Sequence, residues 1–366
     1  MRLSLRPDLS GIHLPTVALS VLAGWAGGIV AGWLHLPLPM LLGSLIAVAA
    51  LAVAGVRPLG HLPQFPQKVR QLFIPVIGVS IGGAFRPEII EEARHWWPSL
   101  LALCAAIPLM HYLGYRALAA LSDIDRKTLF FGAAPGGLIE AVQMGEEAGA
   151  DPQMLTMLQF LRLILTIVLV PLAFTLLTGH AVGSAGGVKM TGAEVPLGPA
   201  DVAILIACAV VGAWAGVKLR MPAGWISGPI IVSGLVHLVG VTETVPPEWL
   251  LAVTQVVIGT GLGVRFAGMP PGRVLHALRY AGLNVAISVA VALGVAVLLG
   301  PVVGEPVAAV FLAFAPGGLA EMSLIALSLQ MSVVYVTAHH VARILIAVTV
   351  VRLFAHRVSG DGPGRA

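Results

Sequence analysis

One short stretch of this chain occurs twice. Ala134-Pro135-Gly136-Gly137-Leu138-Ile139-Glu140 returns as Ala315-Pro316-Gly317-Gly318-Leu319-Ala320-Glu321. An arginine follows each glutamate after the same 22 residues, Arg162 in one copy and Arg343 in the other. Self-similarity of this kind marks an internal duplication. Each copy lies in strongly apolar sequence. Each half therefore places a helix breaker, an acid and a base where water is scarce, the layout expected of a membrane transporter built from two related halves.

The chain is 58% hydrophobic and 10% charged, against about 25% charged for a typical soluble domain. Mean hydropathy is +0.95. Apolar stretches of roughly 20 residues recur along nearly the whole length, and a helix of about 20 residues crosses a hydrocarbon core of about 30 Å. The expected class is an all-α integral membrane protein. A large soluble domain has nowhere to fit, because the only polar stretch of any length is about 178–200. Cys104 and Cys208 sit inside apolar segments and read as packed thiols. A net charge of +4 with a pI near 9.4 fits the basic loop bias of an inner-membrane protein better than a nucleic-acid binder. Arg2 and Arg6 are not followed by a compact apolar run ending in a small-residue site, so no cleavable signal is expected.

Six apolar segments are read in the first half, at about 16–34, 37–56, 69–85, 97–121, 128–145 and 152–177. The second half repeats them at about 201–219, 223–241, 249–266, 278–299, 306–329 and 332–353. The organisation is a first membrane repeat over 1–177, a linker over 178–199 and a second repeat over 200–366. Pro37 and Gly43 align with Pro222 and Gly228; Gly78, Gly82 and Phe85 align with Gly259, Gly263 and Phe266. The glycines of the third segments read either as close-packing surfaces or as small residues facing a central cavity.

Six crossings per half would leave both halves in one orientation, and the loop charges oppose that. Basic residues follow the second and fourth segments of the first half (Arg57, Lys68, Arg70; Arg116, Arg126, Lys127), where the second half has Glu243, Glu248 and Glu305. In the second half they follow the first and third segments (Lys218, Arg220; Arg265, Arg273, Arg279). Cytoplasmic loops are enriched in Lys and Arg. The second half should therefore be inverted, with an odd number of crossings per half. With the N-terminus inside, 16 of the 21 basic residues fall on the cytoplasmic side, and Arg86, Arg94 and Lys189 fall outside. That supports ten net crossings, both termini in the cytoplasm and a periplasmic linker. The Pro-Gly-Gly segments are the best candidates for those that fail to cross, with the short Gly-rich third segments (Gly78, Gly82, Gly83; Gly259, Gly261, Gly263) as the alternative: proline removes a backbone donor, and irregular backbone is tolerated at membrane depth only inside protein or along a watery cavity. The fold expected is two inverted-topology repeats with broken or re-entrant helices meeting near the bilayer midplane.

The residues after Pro135-Gly136-Gly137 and Pro316-Gly317-Gly318 should open new half-helices, whose N-termini favour anions. Glu140 and Glu321 lie a few residues into them, and either complement the helix dipole or ligate a coupling ion or substrate. Arg162 and Arg343 at the bilayer centre would each cost roughly 2.5–3.5 kcal/mol unless paired or wet. Pairing Glu140 with Arg162 and Glu321 with Arg343, or cross-pairing between halves, would relieve that. Gln159 and His340 each stand three residues before an arginine and share its helical face. His340 either orients Arg343 or takes part in proton coupling. His339 should face elsewhere. No metal-ligand spacing occurs, and neither a metal nor any other cofactor is expected. Gln143, Asn284 and Ser323 read as interhelical hydrogen-bonding groups.

The duplicated A-P-G-G-L-x-E block, followed by Gln159-Phe160-Leu161-Arg162 or His339-His340-Val341-Ala342-Arg343, resembles the bacterial membrane AbrB family with its AbrB duplication, over about 16–355. Members carry labels such as transcriptional regulator, regulator of AidB expression or ammonia monooxygenase. The resemblance implies kinship with antiporter and anion-transporter folds that have inverted repeats and crossed broken helices. The sequence carries no soluble DNA-binding module and no basic recognition helix, so any effect on gene expression would be indirect. A monooxygenase would need a His/carboxylate cluster that is not found. The expectation is secondary transport of a small, anionic solute in the inner membrane, not an enzyme. Its partners would be that solute or ion and the lipid bilayer, without direct nucleic-acid contact, and a homo-oligomer is left open. The alternative is a membrane sensor acting through a partner protein.

Overall fold

The computed structural model describes residues 12–36, 38–87, 89–178, 196–221 and 223–359. Pro37, Pro222, Arg2, Arg6, Lys189 and most of the 178–199 linker lie outside them. Among the described residues the regular structure is helical. The first half contains α1 (Leu14–Trp33), α2 (Pro39–Val53), α3 (Gln67–Gly82), the short α4 (Ile89–Ala93), α5 (Trp97–Leu121), α6 (Arg126–Gly132), α7 (Leu138–Glu147) and α8 (Pro152–Thr178). The second half contains α9 (Pro199–Lys218), α10 (Gly224–Leu238), α11 (Glu248–Gly263), α12 (Pro271–Val303), α13 (Val307–Phe314), α14 (Leu319–Ser328) and α15 (Val333–Ser359).

Each expected apolar segment corresponds to one helix, except the two that contain Pro-Gly-Gly. Those are interrupted: α6 and α7 flank 133–137, and α13 and α14 flank 315–318. Seven helices (α1, α5, α8, α9, α11, α12 and α15) are long and apolar enough to cross a membrane, while α2 and α10 are apolar but shorter. The chain is a multi-pass helical membrane protein.

The helices gather into two compact units. One takes Met1–Pro87, Pro171–Pro271 and Leu327–Gln330; the other takes Glu88–Val170, Gly272–Ala326 and Met331–Ala366. Each unit draws on both sequence halves.

In the first unit, glycines set the helix spacing. Lipid tails are as apolar as leucine, so helices associate where small residues let backbones approach. A Cβ on Gly43 of α2 would stand 2.2 Å from the Gly27 carbonyl oxygen of α1, and one on Gly228 of α10 would stand 2.0 Å from that of Gly212 in α9. The two crossings are counterparts, one in each half. The third helices exchange partners: α11 packs on α2 and α3 on α10. A Cβ on Gly259 would stand 2.5 Å from Leu41 O, and one on Gly78 would stand 2.7 Å from Ile226 O. The aligned third-segment glycines are thus close-packing surfaces. The outward faces of α1 and α9 remain apolar and exposed, with Leu22, Ile29 and Trp33 on one and Ile206, Val210 and Trp214 on the other, as expected of surfaces that meet lipid.

The second unit holds both helix breaks. Phe130, Phe131, Ala141, Leu155 and Val351 form a buried cluster joining α6, α7, α8 and α15. Local polar groups define the helix starts. Asp125 caps α6 by accepting from Thr128 N at 2.8 Å. Asp151 caps α8 by accepting from Gln153 N and Met154 N at 2.9 and 3.1 Å. These caps fix where the chain leaves and re-enters helix on either side of the first break.

Candidate functional site

A proline inside a helix leaves the carbonyl four residues earlier without its usual N–H partner. For Pro135 that carbonyl belongs to Phe131, and for Pro316 to Leu312. In each half, a side chain from the helix that follows supplies the missing donor. Gln159 Nε2 on α8 donates to Phe131 O at 2.7 Å, where a long 3.4 Å contact from Ala134 N also arrives. His340 Nε2 on α15 meets Leu312 O at 2.8 Å. The duplication therefore extends to the hydrogen bonds: Gln159 and His340 occupy equivalent places and repair equivalent gaps.

The arginines serve the break itself. Arg343 donates to Ala315 O and Gly317 O. Arg162 donates through Nη1 to Pro316 O at 2.8 Å. Three successive carbonyls of the second break are taken by two guanidinium groups from two helices. Arg162 Nη1 also lies 3.4 Å from Pro135 O in the first break. Its Nε and Nη2 donate to Gln159 Oε1 at 3.3 and 3.0 Å. These carbonyls lie just beyond the negative end of the preceding half-helix, and a cation there is favourable. Arg162 and Arg343 are 3% and 2% exposed.

The glutamates behave differently from the pairing expectation. Glu140 and Glu321 are the third residues of α7 and α14, where a carboxylate complements the positive helix end. Each folds back over the glycine before its helix: a Cβ on Gly318 would stand 2.0 Å from Glu321 Oε2, and one on Gly137 would stand 3.5 Å from Glu140 Oε2. Gly137 also has φ of 65°, a left-handed conformation that favours glycine. The expected pairs, Glu140 with Arg162 and Glu321 with Arg343, do not appear among the hydrogen bonds the arginines make. Among the described residues, those bonds go to Gln159 and to main-chain carbonyls. The physical reason is the break: bare carbonyls at a chain interruption are acceptors within direct reach of the guanidinium, while the acid has its own helix end to neutralise.

All twelve sequence-selected positions lie in this one unit: Pro135, Gly136, Gly137, Glu140, Gln159, Arg162, Pro316, Gly317, Gly318, Glu321, His340 and Arg343. Two atoms among them have no hydrogen-bond partner among the described residues, although both are buried: His340 Nδ1 and Arg343 Nε.

Sequence reasoning missed Ser99 and His111. Ser99 Oγ on α5 lies 2.8 Å from His339 Nε2, whose Nδ1 meets Tyr335 O at 2.8 Å. His339 does face away from the arginines, as its helical phase requires. His111 Nε2 meets Phe130 O at 2.8 Å. Only the presence of a histidine in an apolar segment could have flagged His111, and nothing marked Ser99. Asn284 Nδ2 donates to Ala133 O at 3.4 Å, and Ser323 pairs with Thr337 at 2.8 Å. Gln143, expected to bond between helices, donates instead to Glu147 on its own helix at 3.2 Å. Among the described residues, no group of three or more His, Cys, Asp or Glu side chains is placed to hold a metal ion.

Comparison with known proteins gives a consistent relationship. Residues 59–359 match the family model described as "Transition state regulatory protein AbrB". The chain is similar to a Bacillus subtilis (strain 168) protein described as "Uncharacterized protein YhjN", at 26% identity over 92% of either chain. It is also similar to the Escherichia coli (strain K12) protein described as "Putative regulator AbrB", at 25% identity over 91% of this chain and 93% of that one.

Proposed function

The chain belongs to the AbrB family, and from that premise we propose that it is a secondary transporter of a small anionic solute in the bacterial inner membrane. The observation that carries this reading is the meeting of Arg162 and Arg343 at the helix breaks. Two buried groups of like charge are held there by main-chain carbonyls and Gln159, as far as the hydrogen bonds of the described residues go. Such dipoles satisfy donors but bring no charge of their own. An anion would do both, at a place where two half-helix N-termini also begin.

The membrane arrangement proposed with it is two inverted-topology repeats, ten crossings, a periplasmic linker and both termini in the cytoplasm. Three observations support it: the inverted pattern of basic loops, the exchange of third helices between halves, and the equivalent repair of the two breaks by Gln159 and His340. Broken helices at a repeat interface are where transporters of this architecture bind their cargo, and rocking of one bundle against the other moves it. Glu140 and Glu321 would then respond to the coupling proton or cation. The role is binding and translocation rather than catalysis, any influence on gene expression is indirect, and the exposed outer faces are covered by lipid or a second copy.

Reconstituted protein in proteoliposomes tests this with a panel of small carboxylates and oxyanions. Uptake above protein-free vesicles, abolished by Arg343→Ala, is expected. The description of the Escherichia coli relative as a regulator favours a second reading, a membrane sensor. Ligand binding in detergent with no flux in vesicles would select it.

A further inference from the structure

The two halves differ at one hydrogen bond. In the first half, Gln159 both donates and accepts: its Nε2 serves Phe131 O, and its Oε1 takes Arg162 Nε and Nη2. Glutamine and arginine thus close on each other. In the second half, His340 serves Leu312 O through Nε2 in the same way. A carbonyl oxygen only accepts, so Nε2 carries the proton and the neutral ring keeps a lone pair on Nδ1. That lone pair has no donor among the described residues, and Arg343 Nε–H has no acceptor among them. His340 is 0% and Arg343 2% exposed. Histidine is shorter than glutamine and its second nitrogen is fixed by the ring, so the closure made in the first half is left open in the second.

A glycine of the first break borders the unspent N–H. A Cβ on Gly136 would stand 3.8 Å from Arg343 Nε and 3.3 Å from Ala347 Cβ. The Gly136 backbone therefore comes within van der Waals reach of the unspent N–H, and a larger residue would crowd Ala347. A buried donor and a buried acceptor left unsatisfied on one helical face are costly unless something supplies both partners.

We propose that Arg343 Nε and His340 Nδ1 are the ligand-selecting pair of this site, and that the site takes a small anion bearing its own hydroxyl, of the hydroxycarboxylate class. The anionic oxygen accepts from Arg343 Nε, and the hydroxyl donates to His340 Nδ1. An anion without a donor satisfies only the arginine. An ammonium group would supply a donor but would be repelled by the two neighbouring guanidinium charges. This inference rests on the reading of the site as an anion site and names what that site prefers.

The test uses matched pairs that differ by one hydroxyl, glycolate against acetate and lactate against propionate, on the full-length detergent-solubilised protein. The hydroxylated member of each pair should raise the melting temperature at a concentration roughly tenfold or more lower than its partner. His340→Gln copies the first half's closure into the second. Its ligand-free melting temperature should equal or exceed that of the wild type, and its preference for the hydroxylated anions should disappear. Equal stabilisation by both members of each pair in the wild type overturns the donor-acceptor assignment while leaving the anion site standing. A preference that survives in His340→Gln overturns the role of His340. No stabilisation by any anion, together with no anion flux, removes the anion site itself and this inference with it.

Discussion

Arg162 holds Pro316 across 154 residues of chain, donating to its carbonyl at 2.8 Å. The same nitrogen lies 3.4 Å from the Pro135 carbonyl, so one guanidinium joins both interrupted segments. Arg162→Ala would strand Pro316 O, Pro135 O and Gln159 Oε1 in the interior. Each orphaned group costs about 1–3 kcal/mol, so a loss of about 3 kcal/mol or more is expected. Arg162→Lys keeps the charge but not the planar fork. It should lose roughly half as much, read as thermal or denaturant unfolding in detergent. A Lys variant as unstable as the Ala variant would mean that charge contributes nothing.

Gln159 tests the idea that side chains replace the donor a proline removes. Gln159→Leu leaves Phe131 O with only its long contact to Ala134 N, at an expected cost of about 1–3 kcal/mol. Adding Pro135→Ala returns a backbone N–H to the chain four residues beyond that carbonyl. Part of the lost stability should come back in the double variant, a coupling that a double-mutant cycle reads directly. Strict additivity would show that the proline and the glutamine are independent.

What was legible in the sequence follows from which features are local. Apolar run length located the helices, because a membrane span has to be about 20 residues long. Pro135-Gly136-Gly137 and Pro316-Gly317-Gly318 located the breaks, because no helix hydrogen bond can form through proline. The partners of Arg162 and Arg343 were not legible. Spacing placed an acid and a base in each half and suggested that they pair, whereas the stronger demand came from carbonyls that become bare only once the helix has opened. The same holds for Ser99 and His339: a serine near a helix start and a histidine inside an apolar helix carry no signal for each other across 240 residues. The division into compact units that mix both halves depends on which faces meet, and periodicity reports a face without naming its partner.

Helix spacing in the first unit should be sensitive to a single methyl. Gly43→Ala would place its Cβ 2.2 Å from Gly27 O, a backbone atom that cannot rotate away. The helices must separate, at about 1–3 kcal/mol. Gly294→Ala on α12 is the control, since its Cβ would meet nothing within 4 Å. There the substitution should be neutral or stabilising by up to about 1 kcal/mol, through helix propensity. Equal effects at both positions would refute close backbone approach as the cause.

Glu305, in the loop between α12 and α13, gives a pH dependence. Burial pushes its carboxyl above the ordinary value of 4.5, and the charge of Glu92 pushes the same way, while a hydrogen bond from Trp96 opposes them. A carboxyl raised in the folded state holds its proton longer there than in the unfolded chain. The stability this contributes is complete below the ordinary carboxylate range and is lost as pH rises through the raised value. Glu305→Gln should therefore be at least as stable as the wild type at neutral pH, with a flatter profile as pH rises from the carboxylate range. A steeper profile in the variant would reverse the sign of the argument.

Opposed orientation of the two halves makes a prediction at two aligned positions. Val56 follows α2 and Val241 follows α10, and both are exposed, at 42% and 58%. Gly43 and Gly228 align, and Val56 and Val241 stand 13 residues beyond them. The first loop leads to Lys68 and Arg70, the second to Glu243 and Glu248, so the positive-inside bias sends them to opposite faces. In a background with Cys104 and Cys208 replaced, Val56→Cys should react with an impermeant maleimide only after the cytoplasmic face is opened. Val241→Cys should react in intact cells whose outer membrane has been permeabilised. Labelling of both from one face would leave the second half parallel to the first. The equivalence of Gln159 and His340 would then be a relation of sequence without the symmetry that alternating access needs.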